Sequence, residues 1–244
     1  MIEHHIDIKT PDGLMNTFVV HPEENGPFPV IFFYMDAPGK REELHDMARR
    51  FATVGYLVVL PNLYYRRSRD YYLKERTPQE LEVMFAHMHS LNANTSRTDT
   101  QALLAYVDQN AHADSQKIGA VGYCMSGPIV MWAAADFPDR FQSIASIHGA
   151  NMVTDAADSP HRMPPKIRCE SYFACAEIDK WAPPEDIRQL EQALIDAKNK
   201  YRVEWFPKAE HGFVFPQRAV FEKHAAERHW ERLFDLFGRT LKTP

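Results

Sequence analysis

The 244-residue sequence predicts an α/β architecture, a mostly parallel twisted sheet with helices on both faces, and two observations carry that expectation. Short apolar runs without polar alternation, such as Val30-Ile31-Phe32-Phe33-Tyr34 and Leu57-Val58-Val59-Leu60, have the character of strands buried on both faces. Segments with apolar residues three and four apart separate them, as crossover helices require. Only the start departs: residues 4–8 and 14–20 flank Thr10-Pro11-Asp12-Gly13, the turn signal of an antiparallel hairpin at a sheet edge.

Taken in order, the run at residues 30–34 leads into the loop Met35-Asp36-Ala37-Pro38-Gly39. Across residues 41–54, Leu44, Met47, Ala48 and Phe51 recur at helical spacing and Gly55 stands where a helix stops, so an amphipathic helix is expected. Residues 57–60 form the next strand, closed by Pro61. Residues 62–76 place Tyr64, Tyr65, Tyr71 and Tyr72 among Arg66, Arg67 and Arg69, and read as an irregular excursion near a ligand pocket. Thr77-Pro78-Gln79-Glu80 is a capping-box pattern with proline at the first helical position, after which Leu81, Met84, Phe85 and Met88 mark one helical face.

A further helix is expected over residues 99–107, a strand over 117–123 running into Cys124, and a helix over 126–135. Strands at 143–147 and 167–178, a helix at 185–197, a strand at 202–206 and a long helix within 217–237 complete the series. No linker, repeat, low-complexity segment or large lid interrupts it, so residues 1–244 are expected to form a single domain.

Composition narrows the function. A formal net charge of −5 supplies no basic field for nucleic acid or polyphosphate. The polar start MIEHHIDIKTPDG and the lack of an apolar run of about 18 residues speak against a leader or a membrane span, and a cytoplasmic location is expected. The three cysteines, Cys124, Cys169 and Cys175, are too sparse for a disulfide scaffold and read as free thiols. Cys169 and Cys175, in the apolar stretch 167–178, are expected to be small buried hydrophobes in a strand. His4-His5 and His87-x-His89 lack a convergent third ligand, so neither a metal nor another cofactor is expected.

Cys124 stands apart. In Lys117-Ile118-Gly119-Ala120-Val121-Gly122-Tyr123-Cys124-Met125-Ser126-Gly127 an apolar strand meets G-x-C-x-S-G and a helix begins at once, which resembles the nucleophile elbow of the α/β-hydrolase fold. The side chain at such an elbow must project from a sharp, strained turn, so its neighbours must be small, and Gly122 with Ser126 or Gly127 supplies that room. A helix N-terminus beside the sulfur also favours thiolate. A full G-x-G-x-x-G nucleotide loop is absent.

The same fold places acid and histidine after the nucleophile, on loops at the ends of strands. Glu177-Ile178-Asp179-Lys180-Trp181-Ala182-Pro183-Pro184 puts Asp179 in the loop that should hold the acid, with Glu177 and Asp186 as competitors assigned to the flanking strand and helix. After the last strand, Glu210-His211-Gly212-Phe213 puts His211 in the base position; His148, in Ser146-Ile147-His148-Gly149, is its competitor and is expected near the pocket. His87, His89, His224 and His229 read as helix-surface residues. In this scheme Asp179 orients His211, His211 takes the thiol proton, Cys124 forms a thioester, and the amides of Met125 and Ala37 hold the oxyanion.

Together these residues resemble the dienelactone hydrolase family over nearly the whole chain. Gly122-Tyr123-Cys124-Met125-Ser126-Gly127 is similar to its G-Y-C-x-G-G elbow with serine for one glycine, Asp179 to Pro183 to its D-x-x-x-P loop, His211-Gly212-Phe213 to its base followed by x-F, and Pro61-Asn62-Leu63-Tyr64 to its P-D-L-Y. The resemblance implies an ester or lactone hydrolase with a small-molecule substrate, a monomer or homodimer. It also implies that Asp36 occupies the place of a glutamate that contacts the resting nucleophile. Phe215 stands where dienelactone-cleaving members carry a carboxylate-binding arginine, and Arg66, Arg67 or Arg69 are the candidate replacements. Tyr64, Arg66, Tyr123, His148, Trp181, Phe213 and Phe215 are expected around the pocket, and the apolar Phe213, Phe215 and Trp181 point to a less polar acyl group or lactone. A redox-reactive thiol protein and a non-catalytic binding module on the same fold are the alternatives.

Overall fold

The computed structural model describes residues 1–242. They form a mostly parallel sheet of eight strands in the order β1-β2-β4-β3-β5-β6-β7-β8, with six α-helices. The chain divides into two compact units, Met1–Ile118 and Gly119–Pro244, and the division falls inside the fifth strand.

The first unit opens with β1 (Ile2–Thr10) and β2 (Gly13–His21), the antiparallel hairpin the turn signal predicts, in register from Ile2 opposite His21 to Thr10 opposite Gly13. β3 (Phe28–Tyr34) and β4 (Leu57–Pro61) pair in parallel, and β2 runs antiparallel to β4. Between them, α1 (Glu42–Thr53) buries Leu44, Met47, Ala48 and Phe51, the face that the spacing marks. Gly55 then takes a positive φ of 90°, the left-handed conformation that ends a helix without a Cβ penalty.

In α2 (Pro78–Met88) the Thr77 hydroxyl accepts from the Glu80 amide at 3.2 Å. Its buried positions are Met84 and His87, which corrects the reading of His87 as a surface residue: its ring lies 4.3 Å from that of Tyr71 and 5.1 Å from that of Tyr64. α3 (Ala93–Gln109) begins six residues before the expected start. Asn92 caps it reciprocally with Thr95, and the polar first turns have no apolar period to reveal them.

From β5 (Ala113–Tyr123) the chain enters the second unit, where α4 (Gly127–Asp136), β6 (Phe141–Ile147), β7 (Glu170–Ile178), α5 (Pro184–Asp196), β8 (Tyr201–Glu210) and α6 (Lys223–Leu241) follow. β6, β7 and β8 pair in parallel. Three expectations need correction. β7 starts at Glu170, which leaves Cys169 buried just before the strand rather than within it. β8 continues past Phe206 to Glu210. α6, expected within residues 217–237, starts inside that span, where Glu222 caps the amides of His224 and Ala225, but its apolar face carries it on to Leu241. Among the described residues no helix is long and apolar enough to cross a membrane.

Candidate active site

β5 delivers the chain into a 3-10 turn over Cys124–Ser126 that feeds directly into α4. Cys124 has φ of +56°, a strained value for a residue with a side chain. The turn persists because its backbone is over-determined: the Cys124 carbonyl accepts from the Gly127 and Ala150 amides. Small neighbours are obligatory. A Cβ on Gly122 would lie 2.2 Å from the Ser126 carbonyl oxygen, and one on Gly127 would lie 2.6 Å from the Gly149 Cα.

β8 ends at Glu210, so His211 is the first residue beyond its strand, and Asp179 is the first residue beyond β7. The parallel pairing of β7 with β8, closing with Ile178 opposite Glu210, brings the two side chains together. His211 Nδ1 lies 2.7 Å from Asp179 Oδ2, and His211 Nε2 lies 3.1 Å from Cys124 Sγ. The second Asp179 oxygen accepts from the Trp181 amide at 2.9 Å, so both carboxylate oxygens are engaged. Burial alone would push the His211 imidazole down, but the Cys124 sulfur and the Asp179 carboxylate outweigh it and bring the group up to about 9. The sequence competitors stay aside: Glu177 accepts from the Lys208 amide, and Asp186 sits in α5.

His148 follows β6 with φ of +39° and donates its amide to the Ala174 carbonyl. Its ring is 1% exposed and stands edge-on to His211, centroids 4.8 Å apart. Burial, followed by the nearby charges of His211 and Arg218, holds it well below the usual histidine range, so it is uncharged. Phe213 and Phe215 are fully buried behind the same ring at 5.8 and 5.6 Å. Tyr123 is fully buried too, with its hydroxyl 3.3 Å from His229 Nε2. His229 is itself 0% exposed, which corrects its assignment to the helix surface. These side chains are packed inside the core around the His148 ring, so Phe213 and Phe215 do not bear on the polarity of the substrate.

Sequence reading missed Arg218. Its guanidinium covers the Phe215 ring at 4.5 Å, and a Cβ on Gly212 would meet its Nη1 at 2.3 Å. The signal was available as a cation seven residues beyond the histidine, but only the turns after β8 show that it folds back. Trp181 is half-buried, with Lys180 over its ring and its carbonyl accepting from the Asn151 amide.

Asp36, Tyr64, Arg66 and Arg69 belong to the first unit. Asp36 is fully buried, with Oδ1 2.5 Å from Arg41 Nη1 and Oδ2 3.3 Å from Nη2. Arg41 also donates to Glu43 and to the Gly39 carbonyl. Tyr64 is buried, not pocket-lining, and its hydroxyl donates to the Ala37 carbonyl at 2.9 Å. Arg66 is held by Asp99 at 2.7 and 3.0 Å and by Asp12 at 2.8 Å, so two carboxylates already balance the charge that a substrate carboxylate would need. Arg69 pairs with Asp7 at 2.8 Å.

Cys169 and Cys175 are buried free thiols, each pushed up to about 12 by burial, which makes them poor partners for thiol exchange. Among the described residues no group of three or more His, Cys, Asp or Glu could hold a metal ion.

The model of the dienelactone hydrolase family matches residues 15–241. A Synechocystis protein assigned as a carboxymethylenebutenolidase is 26% identical over 228 residues, covering 92% of each chain. The carboxymethylenebutenolidase of Pseudomonas putida is 22% identical over 239 residues, covering 98% of this chain and 97% of that one. A crystal structure of a Klebsiella pneumoniae protein assigned as a dienelactone hydrolase superposes with a TM-score of 0.87 at 20% identity, over 98% of both chains. With its family model spanning nearly the whole sequence, the chain belongs to the dienelactone hydrolase family and is an ester or lactone hydrolase of α/β-hydrolase fold.

Proposed function

We propose that the protein cleaves a small carboxylic ester or lactone through Cys124 as nucleophile, His211 as proton carrier and Asp179 as the group that orients it. One observation carries the reading: the continuous line from Cys124 Sγ through His211 to Asp179 at 3.1 and 2.7 Å, set on a strained elbow. A structural thiol has no need of positive φ or of an imidazole whose far side is anchored by a carboxylate.

In this mechanism the sulfur attacks the carbonyl carbon while its proton resides on His211 Nε2. The raised affinity of that imidazole for a proton keeps it charged at neutral pH, ready to protonate the leaving alkoxide as the C–O bond breaks. Asp179, with both oxygens engaged, holds Nδ1–H and fixes the ring's orientation. The Met125 amide, next after the nucleophile, contributes to holding the oxyanion. A water deprotonated by His211 then attacks the thioester, releasing the acid and restoring the thiol. Arg218, over Phe215 and against Gly212, places a cation next to the base and suits an acyl group that bears a carboxylate.

The test is hydrolysis of a short-chain nitrophenyl ester by the wild type and by Cys124→Ala, with peptide mass spectrometry for an acyl group on Cys124. Loss of activity in the variant together with acylated Cys124 in the wild type supports the reading; equal hydrolysis by both proteins rejects it.

A further inference from the structure

The first unit contains a cavity of about 390 Å³, with Lys40 on its wall beside His5, Arg69 and Asp70. Lys40 is half-buried, and its Nζ donates to Asn16 Oδ1 at 2.7 Å and lies 3.2 Å from His5 Nδ1. Among the described residues it forms no ion pair. Most of the surrounding charges are committed elsewhere, Asp7 on β1 to Arg69, Arg41 to Asp36 and Glu43, and His45 on α1 to Glu42, while Asp70 on the cavity wall lies beyond ion-pair distance of Lys40.

A half-buried ammonium ordinarily finds a carboxylate, because an uncompensated charge away from water is costly. Here both partners are neutral. Two neutral acceptors satisfy an uncharged amine fully, since its two N–H bonds go to Asn16 and His5 and its lone pair occupies the third tetrahedral position. Burial pushes the Lys40 amine down to about 8; Asp70 and Asp7 oppose that and Arg69 assists it. His5 is also held below the usual histidine range, by burial and then by Lys40, so it stays an acceptor at neutral pH.

We propose that Lys40 is a second nucleophilic centre, an amine that takes acyl groups from activated esters or thioesters entering this cavity, with His5 as the proton acceptor. The Lys40 nitrogen lone pair forms a C–N bond to the acyl carbon. The bond from that carbon to the ester oxygen or thioester sulfur breaks, and the leaving group departs with the electron pair. The surplus proton on nitrogen passes to His5 Nδ1, and the product is a neutral amide at Lys40.

The test uses the Cys124→Ala protein, so that Cys124 takes no acyl group, with a substoichiometric acetyl N-hydroxysuccinimide ester at pH 6.5 to 10 and each acetylated lysine quantified by peptide mass spectrometry. At pH 7 the free-amine fraction of Lys40 exceeds that of an ordinary lysine by about two orders of magnitude, and lower basicity trims this to roughly tenfold in rate. Lys40 should therefore be acetylated about tenfold faster than exposed Lys74 and Lys166, with a half-maximal rate near pH 8, and His5→Gln should slow it severalfold. Acetylation of Lys40 no faster than that of Lys74, or a Lys40 rate still climbing through pH 10 alongside the others, overturns the assignment. The pH profile decides by itself if His5→Gln does not fold.

Discussion

His148 stands edge-on to His211, ring centroids 4.8 Å apart and planes at 63°, and neither nitrogen of His148 has a hydrogen-bond partner among the described residues. A buried imidazole without partners contributes shape at a polar cost. Replacing it by a ring without nitrogens should leave the wall intact. His148→Phe is expected to be at least as stable as the wild type and to keep most of its kcat. His148→Ala opens a void beside the base, lowering stability by about 2–4 kcal/mol and kcat on the order of tenfold. Thermal melts with ester kinetics check this, and equal damage from both variants would assign the role to the imidazole nitrogens instead.

Asp179→Asn removes the charge that secures His211 Nδ1–H at 2.7 Å. On the order of 10²- to 10⁴-fold of kcat should be lost. The wild-type rate should fall as pH rises through about 9, where His211 gives up its proton, and in the variant this limb should move to lower pH. A limb that stays in place would separate Asp179 from the titration.

The same group makes stability depend on pH. The folded value for His211, about 9, lies above the unfolded value of about 6.5, so its contribution is complete below pH 6.5 and disappears as pH rises through 9. Chemical denaturation of the wild type should show a decline over that window, and His211→Gln should flatten it.

Gly122→Ala places a Cβ 2.2 Å from the Ser126 carbonyl oxygen, a backbone atom that cannot rotate away. The elbow must open to admit it. The expected outcome is a loss of stability exceeding about 2 kcal/mol together with loss of Cys124 reactivity toward iodoacetamide, measured by denaturation and by thiol titration.

Arg218→Gln should raise KM at least severalfold for esters whose acyl group carries a carboxylate and leave neutral esters nearly unchanged. Paired KM measurements on one neutral and one acidic ester decide it. Equal effects on both would reduce Arg218 to a support for Phe215, over whose ring it lies at 4.5 Å.

Local chemistry made much of this molecule legible. The hairpin at residues 10–13, the buried runs, the face of α1 and the Thr77 cap each follow from propensities acting over a few residues, and each was readable. So was the strand-to-helix junction at Cys124, because a sharp elbow demands small residues at fixed spacing. A boundary was misplaced where the deciding interaction is a polar cap, as at Asn92, which leaves no apolar period to read.

Long-range partnership is what the sequence could not display. Nothing near Arg66 in composition announces that Asp99 neutralises it, and the periodicity of the last helix does not reveal that His229 turns inward to Tyr123. By itself, then, the sequence determined the order of strands and helices and the residue types at the elbow and in the two loops beyond β7 and β8, since turn chemistry and burial pattern are local. Only the tertiary structure decided which charges are already paired, which aromatic rings are hidden and where Arg218 comes to rest, because those outcomes depend on contacts between residues far apart along the chain, whose free energies are settled only when the chain has folded.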